Sequence, residues 1–184
     1  MLQLNFNPFP VLETQRLVLR ALSTKTDTDV LFELRTNEDA MRYIKKPLQT
    51  RDEVIQLIER VNNDHNNNDS INWAITTRES DTVIGTIGFW RIEKAHHRAE
   101  IGYMLHPSYW RKGILNEALS SVMQYGFDVM GLHSVEGHTD PRNIASQALL
   151  RKHGFSQEGY FKENYYFQEQ FFDTVVFCKI RTAQ

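Results

Sequence analysis

Apolar and polar residues alternate in part across 11–22, with Leu12, Leu17, Leu19 and Leu22 set against Arg16 and Arg20, so the chain is predicted to open on a strand. The spacing then turns helical. Val30, Leu31 and Leu34 share one face of a helix running to about Arg35 behind a Thr26 or Asp27 cap. Thr50 and Glu53 form a capping-box pattern ahead of Val54, Leu57, Ile58 and Val61. The polar, Asn-rich run from Asn62 to Ser70 reads as a loop. From Ile71 the period returns to two, giving strands at 73–77, 83–90 and 99–105 joined by turns around Glu79-Ser80-Asp81 and Lys94-Ala95-His96-His97, an antiparallel meander.

Ile114, Leu115, Ala118, Leu119, Val122, Met123 and Phe127 make a broad apolar stripe along a helix over 113–130, suited to lying on a sheet. A strand at 133–139, a short helix over 143–153 stopped by Gly154, and a hairpin of 159–167 with 171–180 complete the chain. Because strand, long helix and strand follow one another from 99 to 139, the helix serves as a crossover that makes those two strands parallel. The expectation is one α/β (α+β) domain over 1–184, with a mixed sheet of about six to seven strands and about four helices.

Composition narrows the chemistry more than the fold. A chain of 184 residues, 41% apolar and 24% charged, suits a soluble globular domain. No apolar run approaches the roughly 20 residues that span a bilayer, and the N-terminus lacks a basic-then-apolar secretory pattern, so a cytoplasmic protein without membrane association is expected. The net charge of −2 offers no global attraction to nucleic acid, so any anion site must be local. The lone cysteine, Cys178, lies in an apolar run where a small buried residue is the expected role. His96, His97 and His106 lack the spacing or the cysteine partners of a zinc site, and no metal is expected. The aromatic run Tyr160-Phe161, Tyr165-Tyr166-Phe167 and Phe171-Phe172 reads as hairpin core, with a ligand cage as the alternative.

One local anion site is offered by Tyr109-Trp110-Arg111-Lys112-Gly113-Ile114-Leu115-Asn116, a basic, glycine-bearing turn that opens the long helix. Unpaired N–H groups at the positive end of a helix dipole suit a phosphate or pyrophosphate; a solvated helix start is the alternative. The P-loop pattern is absent there.

The stretch Asn143-Ile144-Ala145-Ser146-Gln147-Ala148-Leu149-Leu150-Arg151-Lys152-His153-Gly154-Phe155, with Glu158-Gly159, resembles the last-helix signature of the GNAT acetyltransferases. Ala99-Glu100-Ile101-Gly102-Tyr103, the turn at 110–114 with Glu117-Ala118, and the opening Glu13-Thr14-Gln15-Arg16-Leu17-Val18-Leu19-Arg20 resemble that superfamily's ribosomal-protein N-acetyltransferase branch. The likeness implies a GNAT fold whose strands 99–105 and 133–139 splay apart and receive the pantetheine arm of acetyl-CoA. It implies pairing of that arm with the backbone of Tyr103, Met104 and Leu105, and a pyrophosphate on the amides of Arg111, Lys112, Gly113, Ile114, Leu115 and Asn116. Trp110 and Leu115 depart from the wider Q/R-x-x-G-x-G/A pattern.

The activity implied is direct acetyl transfer to a primary amine, either a protein N-terminus or a small molecule, with a non-catalytic acyl-CoA-binding module as the alternative. Glu100 is the first candidate for the base and Glu163 the second. Ser146 matches a serine able to hydrogen-bond the leaving sulfur, or is a plain helix-surface serine, and Asn143 holds the cofactor arm or caps its helix. The tyrosine that many members carry in this helix is replaced by Leu150. The terminal hairpin offers a surface for a homodimer.

Overall fold

The structure, a computed structural model, describes residues 2–181. Eight strands form one sheet in the order β1-β2-β3-β4-β5-β6-β8-β7, and five α-helices flank it, so both counts exceed the sequence expectation. The added strand comes from the opening segment, which breaks into β1 (Leu12–Glu13) and β2 (Leu17–Arg20). These pair antiparallel around a turn in which Thr14 Oγ1 accepts from Leu17 N at 2.9 Å. The added helix is the single turn α2 (Glu38–Met41), capped by the Asn37 side chain.

In α1 (Thr28–Thr36) Asp27 occupies the N-cap position, but its carboxylate does not cap. It is taken instead by the Arg20 guanidinium at 2.8 and 2.9 Å and by Ser23 N–H at 2.8 Å. The capping box at Thr50 and Glu53 does form, opening α3 (Arg51–Asn66). That helix runs on through most of the Asn-rich segment, correcting the loop expected there. Tertiary contacts override the weak helical preference of asparagine: His65 meets the Phe9 ring edge-on at 5.0 Å, and Asn62 Nδ2 donates to Leu22 O at 3.1 Å.

The meander of β3 (Ile71–Thr77), β4 (Ser80–Glu93) and β5 (Arg98–Leu105) follows as expected. Helix α4 (Ile114–Gln124), extended by a π turn over Tyr125–Val129, crosses over to β6 (Ser134–Thr139), which lies parallel to β5. After α5 (Ile144–Lys152), β7 (Ser156–Phe167) and β8 (Gln170–Ile180) form the terminal hairpin, with β8 against β6 and β7 at the sheet edge.

The odd-numbered positions of β3 and β5, including Trp73, Ile101 and Leu105, pack with Leu119 and Val122 of α4 and Leu150 of α5. The opposite face sets Ala74, Val83 and Met104 against Leu31 and Leu34 of α1 and Val54, Ile58 and Val61 of α3. Cys178 is buried, and that burial pushes its thiol pKa up. The aromatic hairpin is not core: Tyr160, Phe161, Tyr165, Tyr166 and Phe171 are 43–61% exposed, because β7 has no layer above it.

Asp140, just past β6, ties the segment ahead of α3 to this half of the sheet. It pairs with Lys45 and accepts from Arg142 at 2.7 and 2.9 Å, while Lys45 also lies 4.6 Å over the Phe172 ring of β8. Burial would raise the Asp140 pKa, but the hydrogen bonds from Arg142 and Lys45 outweigh it and hold the carboxyl below the ordinary range. A depressed folded-state pKa stabilises above the unfolded value of about 4 and is lost as pH falls through the folded one. Asp140→Asn is therefore expected to cost about 2–3 kcal/mol at pH 7 in denaturant unfolding. Below about pH 4 the parent's stability should fall more steeply than the variant's; equal acid slopes would contradict the assignment.

Candidate active site

Strands β5 and β6 pair only at Arg98↔Ser134, Ala99↔Val135 and Glu100↔Glu136, and then part. Leu150 of α5, 1% exposed, fills the base of the opening with its methyls against Gly137 and close to Ile101. Just past β5, His106 N–H donates back to Ile84 O at 2.9 Å, which with the β4 register turns the peptide of Met104 toward β4. Alternation then turns the peptides of Tyr103 and Leu105 toward the opening. The Leu105 carbonyl is occupied by the Trp110 indole N–H at 2.8 Å, which gives this departure from the wider pattern a bracing role. The Tyr103 peptide and the Leu105 N–H stay available to an extended chain lying in the gap.

The turn ahead of α4 opens onto the same gap. Arg111 and Gly113 adopt positive φ values of 60° and 74°, and residues 111–113 are exposed. The first intrahelical donor is Glu117 N–H, to Gly113 O at 3.1 Å, so the N–H groups of residues 111–116 have no acceptor among the described residues. Successive amides curled in this way form a concave anion receptor at a helix N-terminus. Its position is fixed from the far end of the chain: Glu117 accepts from Thr14 Oγ1 at 2.6 Å, Arg16 N at 2.8 Å and Arg16 Nε at 2.6 Å, while Arg16 Nη1 reaches Lys112 O at 3.0 Å. The side chains of Arg111 and Lys112 form no ion pair among the described residues, and Lys112 lies 5.4 Å over Tyr109.

Helix α5 brings Ser146 to the other side of the gap. Asn143 Oδ1 caps the helix by accepting from Ser146 N at 3.1 Å, and Ser146 Oγ lies 2.8 Å from the Tyr103 hydroxyl. Burial pushes the Tyr103 pKa up to about 12 against the lowering effect of Ser146, so the phenol stays protonated at neutral pH. Either hydroxyl can donate to the other, and with Tyr103 as the donor the serine proton is free to point into the gap. Leu150 is walled into the core and offers no acid.

Glu100 is the last β5 residue paired with β6, and its carboxylate meets Arg91 at 3.1 Å. Directly across stands Glu136, bound to Arg98 and, at 3.1 Å, to His138 Nε2. Glu136 and His138 thus join Glu100 on the face toward α1 and α3, an assembly that sequence reading misses because only strand register reveals it. Glu163 lies elsewhere. It sits at φ 49° in an irregular stretch of β7, exposed, its N–H donating to Asp173 at 2.8 Å, and its carboxylate forms no hydrogen bond among the described residues. No group of side chains suited to holding a metal ion occurs among the described residues.

Residues 16–156 match the family described as acetyltransferase (GNAT) domain. The uncharacterized N-acetyltransferase YoaA of Bacillus subtilis (strain 168) is 34% identical over 178 residues, spanning 96% of this chain and 99% of the relative. A GNAT-family acetyltransferase from Bacillus anthracis is alike at TM-score 0.83 and 24% identity, over 93% of this chain and 98% of its own. The ribosomal-protein alpha-N-acetyltransferase RimL, solved in complex with coenzyme A, is alike at TM-score 0.84 and 21% identity, over 93% and 98% of the two chains.

Proposed function

We propose, from the premise that this chain belongs to the GNAT acetyltransferase family and is an N-acetyltransferase, that it moves the acetyl group of acetyl-CoA directly to a primary amine. One observation carries the reading: a strand gap with unpaired peptide groups leads straight to the unpaired amides of residues 111–116. Those amides fit a pyrophosphate, and the Tyr103 peptide with the Leu105 N–H fits the amide-bearing arm behind it. The coenzyme A held by RimL supports this assignment. Likeness to that protein also favours the ribosomal-protein branch, without naming the amine.

Acetyl-CoA, when bound, supplies an activated acyl thioester. The amine must reach it uncharged, and most aliphatic amines are protonated near pH 7. Glu100, at the root of the gap, accepts the proton that the ammonium group gives up, directly or through water. As the new C–N bond forms and the C–S bond breaks, the Ser146 hydroxyl, held by Tyr103, hydrogen-bonds the departing sulfur, which leaves as thiolate and takes up the second proton that the acylated nitrogen sheds. No residue becomes acylated, in keeping with the buried Cys178 thiol.

Incubation with acetyl-CoA and a varied amine panel is expected to release free CoA. Retention of intact thioester despite calorimetric binding of acetyl-CoA would reject transfer. Ser146→Ala and Tyr103→Phe are each expected to lower kcat about tenfold with KM for acetyl-CoA little changed. Because the two hydroxyls act in series, the double variant should lose little more than either single one. Multiplicative losses, or full activity in both, would remove the pair from the mechanism.

A further inference from the structure

A cavity of about 410 Å³ opens beside Glu100, between strands β4 and β5 and helices α1 and α3. Its wall carries Arg35, Lys46, Arg60 and Arg91 together with the Trp90 indole. Arg91 is engaged by Glu100 at 3.1 Å, and Asp69, also on the wall, by Lys94 at 3.0 Å. The side chains of Arg35, Lys46 and Arg60 form no ion pair or hydrogen bond among the described residues. Asp64, which lies 3.5 Å from Ser70 Oγ, is the one wall carboxylate left to offset them.

The crowding registers in the titration of the group. Burial, then the nearby Arg60, lowers the Arg35 pKa; burial, Arg35, Arg60 and Arg91 lower that of Lys46 against the opposing pull of Glu100. Inward, a recess of about 20 Å³ is lined by Arg35, Asn72 and Thr86 and shares Arg35, Leu57 and Trp90 with the larger cavity. Asn72 is 4% exposed. A Cβ on Gly102 would come within 2.5 Å of the Trp90 indole nitrogen, so the glycine permits that aromatic wall.

The cavity is therefore dipolar, with carboxylate at the strand gap and surplus cation between the helices. We propose that the acceptor is a small zwitterion, a primary amine bearing a carboxylate or phosphate that Arg35, Arg60 and Lys46 receive while its amine reaches Glu100. This rests on the acetyl-transfer reading for its chemistry, but its charge logic is separate. Cationic polyamines meet repulsion from the same three side chains, and the volume is at the small end of ligand sites, suited to an amino acid or dipeptide.

The test compares kcat/KM for amino acids, their carboxamides, phosphoethanolamine and spermidine. The acids or the phosphate are expected to exceed the carboxamides by about tenfold or more, with Arg35→Gln and the exposed Arg60→Gln each eroding that margin. Whichever anion leads identifies the group received. Equal rates for acids and carboxamides, or spermidine as the best acceptor, would overturn the proposal. Calorimetry with N-acetylated acids and N-acetylated carboxamides separates the two failures. Arg35-dependent preference for the acid without CoA release from any amine would sink acetyl transfer and keep the charge reading; absence of preference would sink the charge reading itself.

Discussion

Gly113→Val is expected to weaken acetyl-CoA binding by about 10- to 100-fold, the largest loss available from a single side chain outside the reacting centre. Gly113 holds φ 74°, where a β-branched residue is strained. To relieve that strain the turn must rotate, and rotation scatters the amides of residues 111–116 that converge on one anion. A Cβ at this position meets only Arg16 Nη2, at 3.4 Å, an ordinary contact, so the strain lies in the backbone. Some of the strain will show as lost stability, about 2–6 °C in Tm, so calorimetric affinity should be read well below the transition. An unchanged Kd alongside that Tm drop would mean that the turn does not hold the pyrophosphate.

The second large effect falls on turnover. Glu100→Gln keeps the size of the side chain but removes the proton acceptor, and kcat is expected to fall about 10²–10³-fold at neutral pH. Affinity for acetyl-CoA should hold, since the receptor amides lie on a different element. The deficit should be greatest at low pH, where nearly all of the acceptor is ammonium, and shrink as pH rises and free amine becomes abundant. A rate loss independent of pH would point to a structural role through Arg91. Full activity would move the base to His138 and Glu136, whose carboxylate flanks Glu100 across the last pair of the joined strands.

What could be read in advance was what is local in sequence. The capping box at Thr50 and Glu53, the Asn143 cap and the crossover from β5 through α4 to β6 each depend on spacings of a few residues or on element order, and each forms. Assemblies built across the chain stayed hidden. Thr14 and Arg16 reach Glu117 over 103 and 101 positions, and Tyr103 reaches Ser146 over 43. No periodicity encodes such meetings. Tyr103 was legible for its backbone, while the meeting of its phenol with Ser146 was not. Where the chain misled, tertiary context had overruled composition: asparagines at 62–66 lie in a helix anchored by His65, and the aromatic rings of β7 face solvent because the sheet ends there. The cationic cavity draws on α1, α3, β4 and the segment ahead of α3, so its charge excess is invisible to a net charge of −2.

The central claim is that main-chain amides at the start of α4 grip the diphosphate of the acyl donor while its arm enters the parted strands. A crystal grown with CoA tests it most directly. Diphosphate oxygens are expected at about 3 Å from N–H groups of residues 111–116, with the thiol end directed between Tyr103 and Ser146. CoA bound on any other surface, or a turn whose amides had closed onto protein carbonyls, would contradict it.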